Sequence, residues 1–379
     1  MTRELELLDR LVAFPTVSDQ SNLALVDWAQ QLLQNAGFQT TRIPGSDAGK
    51  TGLYATLGPQ RSGGICLSAH TDVVPVAGQN WTRDPFKLTR EGPNVYGRGT
   101  TDMKGFVACA LAAAERAGAA DLKRPLSLVL SYDEEIGCVG IREMMPALRN
   151  LLGTPEVVVV GEPTSMEIAT GHKGKSAFHV TCRGEVGHSA MAPFYINAIH
   201  LAARFVDQIR ALQAELAEAI QDPAYEIPYS TLHIGRIKGG RALNMVPDHT
   251  TLEMELRHLP QASVDDLTAA LHKAAARVCV VENSPNAISV EPTTSYPGLE
   301  IDAHNPVISW AQKLTNGPNT TKVAFGTEAG FFAELGLNAV VVGPGNMALN
   351  GHKPDEAIAV RELEACTAMM DEFLSHLSN

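Results

Sequence analysis

The feature that most constrains this chain is a series of short apolar runs, each ending in a histidine or a carboxylate. GGICLSAH ends at His70, SLVLSY leads into Asp133-Glu134-Glu135, and EVVVVGE ends at Glu162. Helix-forming segments such as KGFVACALAAAERAG separate these runs. Apolar strands that alternate with helices are typical of a mostly parallel sheet covered on both faces. We therefore predict an α/β fold whose polar residues gather at the carboxyl edge of one sheet.

The pattern changes near Lys173. The predicted elements are then strand SAFHVTCRG, a helix over Ile196–Leu216, strands STLHIGRIKG and TTLEMELRHL, helix VDDLTAALHKAAARV and strand AISVEP. This β-α-β-β-α-β order is ferredoxin-like. We predict an inserted ferredoxin-like α+β domain at residues 174–285, within a larger α/β domain formed by residues 1–173 and 286–379. Beyond the insertion we predict helices over NPVISWAQKLTNG, TEAGFFAELG and Val360–His376.

Two histidines and several carboxylates come to one sheet edge in this fold. His70 ends one predicted strand and His352 follows another, and Asp102 lies in the loop GRGTTDMKG before a helix. Imidazole suits zinc, cobalt or iron, whereas an all-oxygen site suits magnesium or calcium. Because carboxylates outnumber imidazoles, we predict a two-metal site with one carboxylate between ions about 3.5–4 Å apart. Asp72 shares a strand face with His70 and is predicted to fix its tautomer.

Each of these residues also has an ordinary interpretation. Asp72 and Asp102 are common turn or cap residues, the pair Glu134-Glu135 fits a solvated edge, and Glu162 before a proline fits a strand end. The residues taken together favour a metal site. Carboxylates that lie side by side without basic partners repel each other unless a cation neutralises them.

Charge and cysteine usage exclude several classes of protein. Acidic residues outnumber basic ones by 42 to 30, and no block of lysine or arginine interrupts that balance. A nucleic-acid partner is therefore not expected. The electrostatic field of this acidic protein would attract a cationic substrate more than an anionic one. The six cysteines form no CxxC pair, as in a protein of a reducing compartment. The first residues do not resemble a signal peptide and no apolar run spans a membrane, so we predict a cytoplasmic protein.

Five segments in order resemble the M20 metallopeptidase family. They are SAHTDVVP, YGRGTTDMKG, SYDEEIG, VVGEPT and GHKPDE, and they extend over essentially the whole chain. The resemblance implies an α/β catalytic domain that holds two zinc or cobalt ions. It also implies an inserted lid domain used for dimerisation, and hence a homodimer.

The resemblance assigns metal ligands residue by residue. It implies that His70 and Glu162 bind one metal, that Glu135 and His352 bind the other, and that Asp102 bridges both. These assignments agree with the mixed nitrogen and oxygen site predicted from the strand ends.

The resemblance also assigns catalytic residues. Glu134 is implied to be the general base that takes a proton from the attacking water, and Asp72 to orient His70. Glu134 and Glu135 cannot share one side of a regular strand, so we predict a turn at Asp133–Glu135. His188, in GHSAMAP, is implied to reach across the dimer to the reacting carbonyl. Its ordinary interpretation is a histidine of a surface loop.

Three further residues are substrate-binding candidates. Asn244 and Arg257 match family positions that hold the substrate carboxylate, and arginine suits a bidentate contact with a carboxylate. Arg257 has an alternative, an ion pair with Glu253 or Glu255. Glu328, in GTEAGFF, has the charge for a substrate ammonium group, or is an ordinary first-turn glutamate of a helix.

The resemblance implies a hydrolase that acts on a small N-acyl amino acid. HTDVVPVAGQNWTRDPF, GEPTSMEIATGHKG and VVGPGNMALNGHKPDE are most similar to family members that deacetylate Nα-acetyl-L-ornithine. One departure is Ser189-Ala190 after His188, where Ser-Ser is expected. The alternatives are another M20 deacylase, or a catalytically silent metal-binding or interaction protein on this fold. Glu134 favours an enzyme, because a structural site has no use for a base that is not a ligand.

Overall fold

The apolar runs form buried strands in a computed structural model that describes residues 2–315 and 319–379. The elements before the predicted insertion are α1 (Arg3–Val12), α2 (Leu23–Asn35), β1 (Gln39–Pro44), β2 (Thr51–Leu57), β3 (Ile65–His70), β4 (Thr89–Glu91), β5 (Asn94–Tyr96), α3 (Lys104–Ala117), β6 (Leu126–Ser131), α4 (Val139–Leu151), β7 (Val157–Val160) and β8 (Ile168–His172). The chain forms two compact units. The first comprises the described residues of 1–171, 301–323 and 327–379.

The second unit comprises residues 172–300 and 324–326. Its elements, with β15 at the return of the chain, are β9 (Gly174–Arg183), β10 (Gly187–His188), a 3-10 helix (Ser189–Phe194), α5 (Ala198–Glu218), β11 (Thr231–Gly239), β12 (Met245–Val246), β13 (His249–His258), α6 (Val264–Val281), β14 (Ile288–Tyr296) and β15 (Leu299–Glu300). The strand order β11-β13-β9-β14 is antiparallel throughout, which confirms the ferredoxin-like arrangement. β14 lies after residue 285, where the insertion was predicted to end, yet it pairs with β9.

The chain then completes the first unit. The remaining elements are α7 (Pro306–Thr315), β16 (Thr320–Val323), α8 (Ala329–Glu334), β17 (Ala339–Val341), α9 (Met347–Asn350), β18 (Ala357–Ala359) and α10 (Val360–Ser378). The last two residues of the predicted helix NPVISWAQKLTNG, Asn316 and Gly317, lie outside the described residues. The small sheet β18-β5-β4 has no counterpart among the predicted elements.

The large sheet of the first unit has a parallel centre. Its strands run β1-β2-β6-β3-β7-β17-β8, and β16 also pairs with β8. The central pairs β6-β3, β3-β7 and β7-β17 are parallel. The flanking pairs β1-β2, β2-β6 and β17-β8 are antiparallel. The predicted α/β class with a mostly parallel sheet is confirmed. Because β3, β6 and β7 are parallel, their carboxyl ends meet at the same edge.

Helix α3 forms much of the core of this unit. It packs against α1 and α10, and twelve of its fourteen residues are buried. Its alanine-rich sequence allows neighbouring helices to approach on all sides, as expected for a helix without a polar face. The position of the loop before α3, which carries Asp102, is therefore set by core packing. None of the helices in the described parts of the chain combines the length and apolar character needed to cross a bilayer.

Candidate metal centre

His70, at the end of β3, presents a ring nitrogen to two carboxylates. Its side chain is only 1% exposed, and Nδ1 lies 3.0 Å from the backbone oxygen of Asp72. A carbonyl oxygen only accepts hydrogen bonds, so Nδ1 carries the proton. Nε2 lies 3.1 Å from Asp102 Oδ1 and 3.8 Å from Glu162 Oε1. A neutral ring would direct a lone pair at these anions, so this arrangement requires a cation, either a second ring proton or a metal ion.

Asp102 links His70 to the second histidine. Its Oδ2 lies 3.1 Å from His352 Nε2, and the same nitrogen lies 2.9 Å from Glu135 Oε2. Hydrogen bonds to Asp102 and Glu135 raise the pKa of His352 to about 10. Burial alone would raise the pKa of Asp102, but hydrogen bonds from both histidines hold it below its usual range. Asp102 therefore offers one oxygen to each histidine.

Two groups of candidate metal ligands result. One contains His70, Asp102 and Glu162, the other Asp102, Glu135 and His352, and within each group the ligand atoms lie within 4.8 Å of one another. Glu135 Oε1 and Glu162 Oε1 are buried and accept no hydrogen bond among the described residues. Buried carboxylate oxygens of this kind need a charged partner. The donor set fits two divalent cations that share Asp102.

The raised pKa values of the clustered glutamates also indicate that this site requires positive charge. Burial, with the nearby Asp102 charge, raises the pKa of Glu135 to about 8. Burial likewise raises the pKa of Glu134 to about 7 and that of Glu162 well above its usual value. Such pKa shifts arise because carboxylates of like charge lie close together in a buried environment. Bound cations would reduce this repulsion and lower the pKa values.

The predicted turn after β6 is present and separates two adjacent glutamates. β6 ends at Ser131, and Asp133 has a φ of 52°, in the left-handed region that non-glycine residues rarely adopt. After this turn Glu135 belongs to one ligand group, whereas Glu134 belongs to neither. The thiol of Cys138 donates to Glu134 Oε1 at 3.2 Å.

Asp72 organises both the histidine and this turn. Its Oδ1 lies 3.4 Å from His70 Nδ1, farther than its own backbone oxygen. The carboxylate also accepts hydrogen bonds from the backbone N–H groups of Glu134, at 3.1 Å, and Glu135, at 3.3 Å, and from the Ser18 hydroxyl at 2.7 Å. Orientation of His70 was predicted from the sequence; the contacts with the turn were not.

Close packing sets the position of Glu162. Gly161 precedes it, and a Cβ atom at Gly161 would lie 2.0 Å from the ring of Phe106. Only glycine therefore allows β7 to continue into Glu162 beside this ring, which is 1% exposed.

Glu328 lies at the amino end of α8, and its carboxylate is near the ligand groups. It is 1% exposed, and Oε1 accepts a hydrogen bond of 2.6 Å from the Ser131 hydroxyl. Oε2 accepts none among the described residues. Burial raises the pKa of Glu328 to about 7. Glu328 is thus not a solvated first-turn glutamate.

In the second unit, His188 and Asn244 lie together. β10 pairs with β12 so that His188 is opposite Met245, and the Ser189 N–H donates to Asn244 O at 3.1 Å. The Ala190 N–H donates to His188 Nδ1 at 3.1 Å. In the neutral ring the proton is therefore on Nε2, and His188 is exposed.

Arg257, on β13, forms one of the two ion pairs considered from the sequence. Its Nε donates to Glu255 Oε1 at 3.0 Å, while Glu253 pairs with Arg236 on the neighbouring strand. The guanidinium has five N–H groups, so this contact leaves others for a further acceptor.

One important residue was not predicted. Glu356 is 1% exposed and forms a buried ion pair of 2.7 Å with Arg98. It belongs to the segment GHKPDE, four residues after His352, and that proximity was the only signal in the sequence.

Comparison with known proteins shows the family of this chain. The model of the family described as peptidase family M20/M25/M40 matches residues 66–376. An acetylornithine deacetylase of Yersinia pseudotuberculosis is 33% identical over 384 residues, which cover 98% of this chain and 97% of the relative.

Two solved structures share the fold. Aminopeptidase PepT of Bacillus cereus has a TM-score of 0.78 at 20% identity and covers 100% of this chain and 98% of its own. A Bacillus subtilis protein described as a dinuclear metal-binding peptidase of the M20 family has a TM-score of 0.71 at 16% identity, covering 99% and 98%. With a family match over most of its length, the chain belongs to peptidase family M20/M25/M40.

Proposed function

We propose that this protein is a dinuclear metal-dependent deacetylase that converts Nα-acetyl-L-ornithine and water into L-ornithine and acetate, a step of arginine biosynthesis. The observation that carries the proposal is the position of Asp102 between two histidines. Glu134, whose charge interacts with His70 and Asp102, belongs to neither ligand group. The acetylornithine deacetylase that is 33% identical over nearly the whole chain supports the choice of substrate.

The ligand set names the residues that would hold the metal ions. His70 and Glu162 would hold one ion, Glu135 and His352 the other, and Asp102 both. Imidazole and carboxylate ligands favour zinc, with cobalt as the alternative. Two bound cations would polarise the amide carbonyl and make water acidic enough to lose a proton near neutral pH.

Glu134 is the proposed general base. It takes a proton from the attacking water and returns one to the amine nitrogen as the amide bond breaks. Because its carboxylate belongs to neither ligand group, it stays available to accept a proton and to release it. The hydrogen bonds from the turn to Asp72 hold the backbone of Glu134 in place. A silent metal-binding protein would have no need of this arrangement.

His188 is the proposed donor to the carbonyl oxygen as negative charge develops there. Its Nδ1 accepts from the Ala190 N–H, which leaves Nε2–H available to donate. Asn244, beside it, and Arg257 are the proposed partners of the substrate carboxylate.

Glu328 is the proposed partner of the substrate ammonium group. Oε2 of this buried carboxylate accepts no hydrogen bond in the described parts of the chain, which favours a cationic group, and the acidic net charge of −12 favours approach of one. A neutral acyl amino acid would leave this oxygen without a partner, at a cost that disfavours it.

We further propose that the chain forms a homodimer through its second unit. Strand β11 is an edge of the four-stranded sheet, and an edge strand of nine residues is a template for pairing with a second copy. Ile237 on this strand is 57% exposed, and Leu243 and Phe194 are also highly exposed.

The six cysteines are all buried and unpaired, in keeping with the proposed location in the cytoplasm.

A panel of acylated amino acids assayed for free amine tests the proposal. The metal-loaded protein should have its highest kcat/KM for Nα-acetyl-L-ornithine and should lose activity on chelation. Higher kcat/KM for N-succinyl-diaminopimelate would make it a desuccinylase, and for neutral acyl amino acids an aminoacylase. Glu328→Gln should reduce kcat/KM for acetylornithine more than for acetyl-norvaline, which lacks the ammonium group.

A further inference from the structure

The loop that carries His352 has an unfavourable backbone. His352 and Asp355 have φ values of 60° and 54°, in the left-handed region. Neither is glycine, so surrounding contacts must hold the conformation. The His352 side chain is 48% exposed, so burial of the ring does not hold it.

One set of contacts comes from the segment after β3. Gln79 Nε2 donates to the backbone oxygen of His352 at 2.9 Å. The N–H and hydroxyl of Thr82 donate to the two carboxylate oxygens of Asp355, at 3.0 and 2.8 Å. Both left-handed residues are thus held directly by side-chain or backbone groups of one neighbouring segment.

Arg98 joins these contacts to the interior. Its guanidinium donates to Glu356 Oε2 at 2.7 Å, to Lys353 O at 3.3 Å and to Gln79 Oε1. It also lies 4.9 Å from the centre of the Trp81 ring. A planar group with several fixed donors is suited to join separate backbone segments.

Glu356 carries the connection to the other ligand loop. Its Oε1 accepts from the backbone N–H groups of Thr101, at 2.8 Å, and Asp102, at 3.0 Å. Its Oε2 accepts from the Gly99 N–H at 3.0 Å as well as from Arg98. One buried carboxylate therefore receives three N–H groups from the loop that ends at Asp102.

We infer that Glu356, with Arg98 as its counter-ion, is a positioning residue that sets the distance between Asp102 and His352 before metal binds. The inference rests on the metal site of the proposed function. Its role is to hold the two ligand loops together, so that Asp102 and the exposed His352 are at the correct distance from each other to bind the ions. Partners that orient metal ligands in this way contribute to metal affinity although they do not touch the ion.

Three variants test this inference. Glu356→Gln replaces Oε2 by an NH2 group that faces two donors. Gln79→Ala removes the contact with the His352 carbonyl and the contacts of Gln79 Oε1 with Arg98 and Trp81. It leaves the three N–H groups of the Asp102 loop bonded to Glu356, and serves if Glu356→Gln does not fold. Glu143→Gln is the control, because Glu143 also anchors neighbouring segments. It accepts from Ser46 N at 2.9 Å and Oγ at 2.6 Å and from the Tyr132 hydroxyl at 2.7 Å, and neither donor residue is a candidate ligand.

The first readout is Co²⁺ binding to metal-depleted protein, followed by visible absorption in competition with a chelator. Glu356→Gln should weaken binding of both ions by roughly 10- to 100-fold. Gln79→Ala should weaken only the ion held by His352, and Glu143→Gln neither. Wild-type affinity and spectrum in folded Glu356→Gln, or an equal loss in the control, would overturn the inference.

The second readout needs no metal. In metal-depleted protein, amide hydrogen exchange of residues 99–102 and 352–356 should speed up in Glu356→Gln and stay unchanged in Glu143→Gln. If the wild type binds fewer than two ions, the dinuclear site of the proposed function fails, and exchange alone decides the positioning role. Unchanged exchange in both segments contradicts it.

Discussion

The carboxylate of Asp72 accepts a hydrogen bond of 3.1 Å from the backbone N–H of Glu134. A residue at the end of one strand thus fixes the residue proposed as the base, which follows the next strand in the sheet. Asp72→Asn should lower kcat by about 10- to 100-fold, because the amide cannot accept at both positions. Steady-state kinetics with metal analysis checks this. Ser18→Ala, which removes only one donor to Asp72, should have a smaller effect.

Adjacent glutamates should respond differently to the same substitution. Glu134→Gln should keep both metals and lose turnover by about 10²- to 10⁴-fold, the usual contribution of a general base. Glu135→Gln should instead lose metal, since Glu135 Oε2 lies 2.9 Å from His352 Nε2. Measurement of the metal content and kcat of the two variants distinguishes the base from the ligand. Loss of metal in Glu134→Gln would make that residue a ligand.

Catalysis across the proposed dimer predicts complementation. His188→Ala should lower kcat by about 10²- to 10³-fold without loss of metal. If His188 serves the partner's site, a heterodimer of Glu134→Gln and His188→Ala has one site with both changes and one with neither. Subunit exchange should then restore up to about half of wild-type activity. Confirmed exchange with no recovery would place His188 in its own chain's site or outside catalysis.

Removal of the second unit should leave a metal-binding protein. Ile301 N–H donates to Thr170 O at 2.9 Å, so the chain of the first unit leaves and returns at neighbouring points. Joining Gly171 to Ile301 should give a monomer that binds metal but has almost no activity. Sedimentation and metal analysis test this outcome. A truncated protein that still dimerises would contradict the proposed interface.

A buried histidine should make the stability fall with acid. His172 is 0% exposed, and burial lowers its pKa from 6.5 to about 4, with the neighbouring His258 acting in the same direction. In the unfolded chain the His172 side chain is protonated below about pH 6.5, whereas in the folded protein it is protonated only below about pH 4. The contribution of neutral His172 to the free energy of unfolding, about 3 kcal/mol, is fully present above about pH 6.5. It is lost as the pH falls from about 6.5 to about 4. Urea unfolding of metal-depleted protein should show a weaker pH dependence for His172→Leu than for the control His304→Leu.

The candidate ligands could be predicted from the sequence wherever a regular element delivers them. His70 ends one of two parallel strands and Glu162 follows the other, and the carboxyl ends of such strands must meet at one edge. Arg98 and Glu356 were not predicted as a pair because they lie on irregular segments 258 positions apart. No periodicity relates such loops, so only the folded chain shows their contact.

The partner of Arg257 shows a different limit. Glu253, Glu255 and Arg257 alternate along β13 and share one face, so the pattern allows either glutamate. The neighbouring strand decides, because Arg236 on β11 pairs with Glu253. Likewise, β4, β5 and β18 are three residues long, too short for an alternation that the sequence could reveal.

The discontinuity of the first unit has a consequence for synthesis. His70 is translated long before His352, and the whole second unit is translated between them. Domains fold as units on the ribosome, earlier segments first. We expect the ferredoxin-like unit to be complete while the surrounding sheet still lacks β17 and the last ligand. We therefore expect the nascent chain to hold only part of the candidate ligand set, and binding of both proposed metal ions to follow release of the final segment from the ribosome.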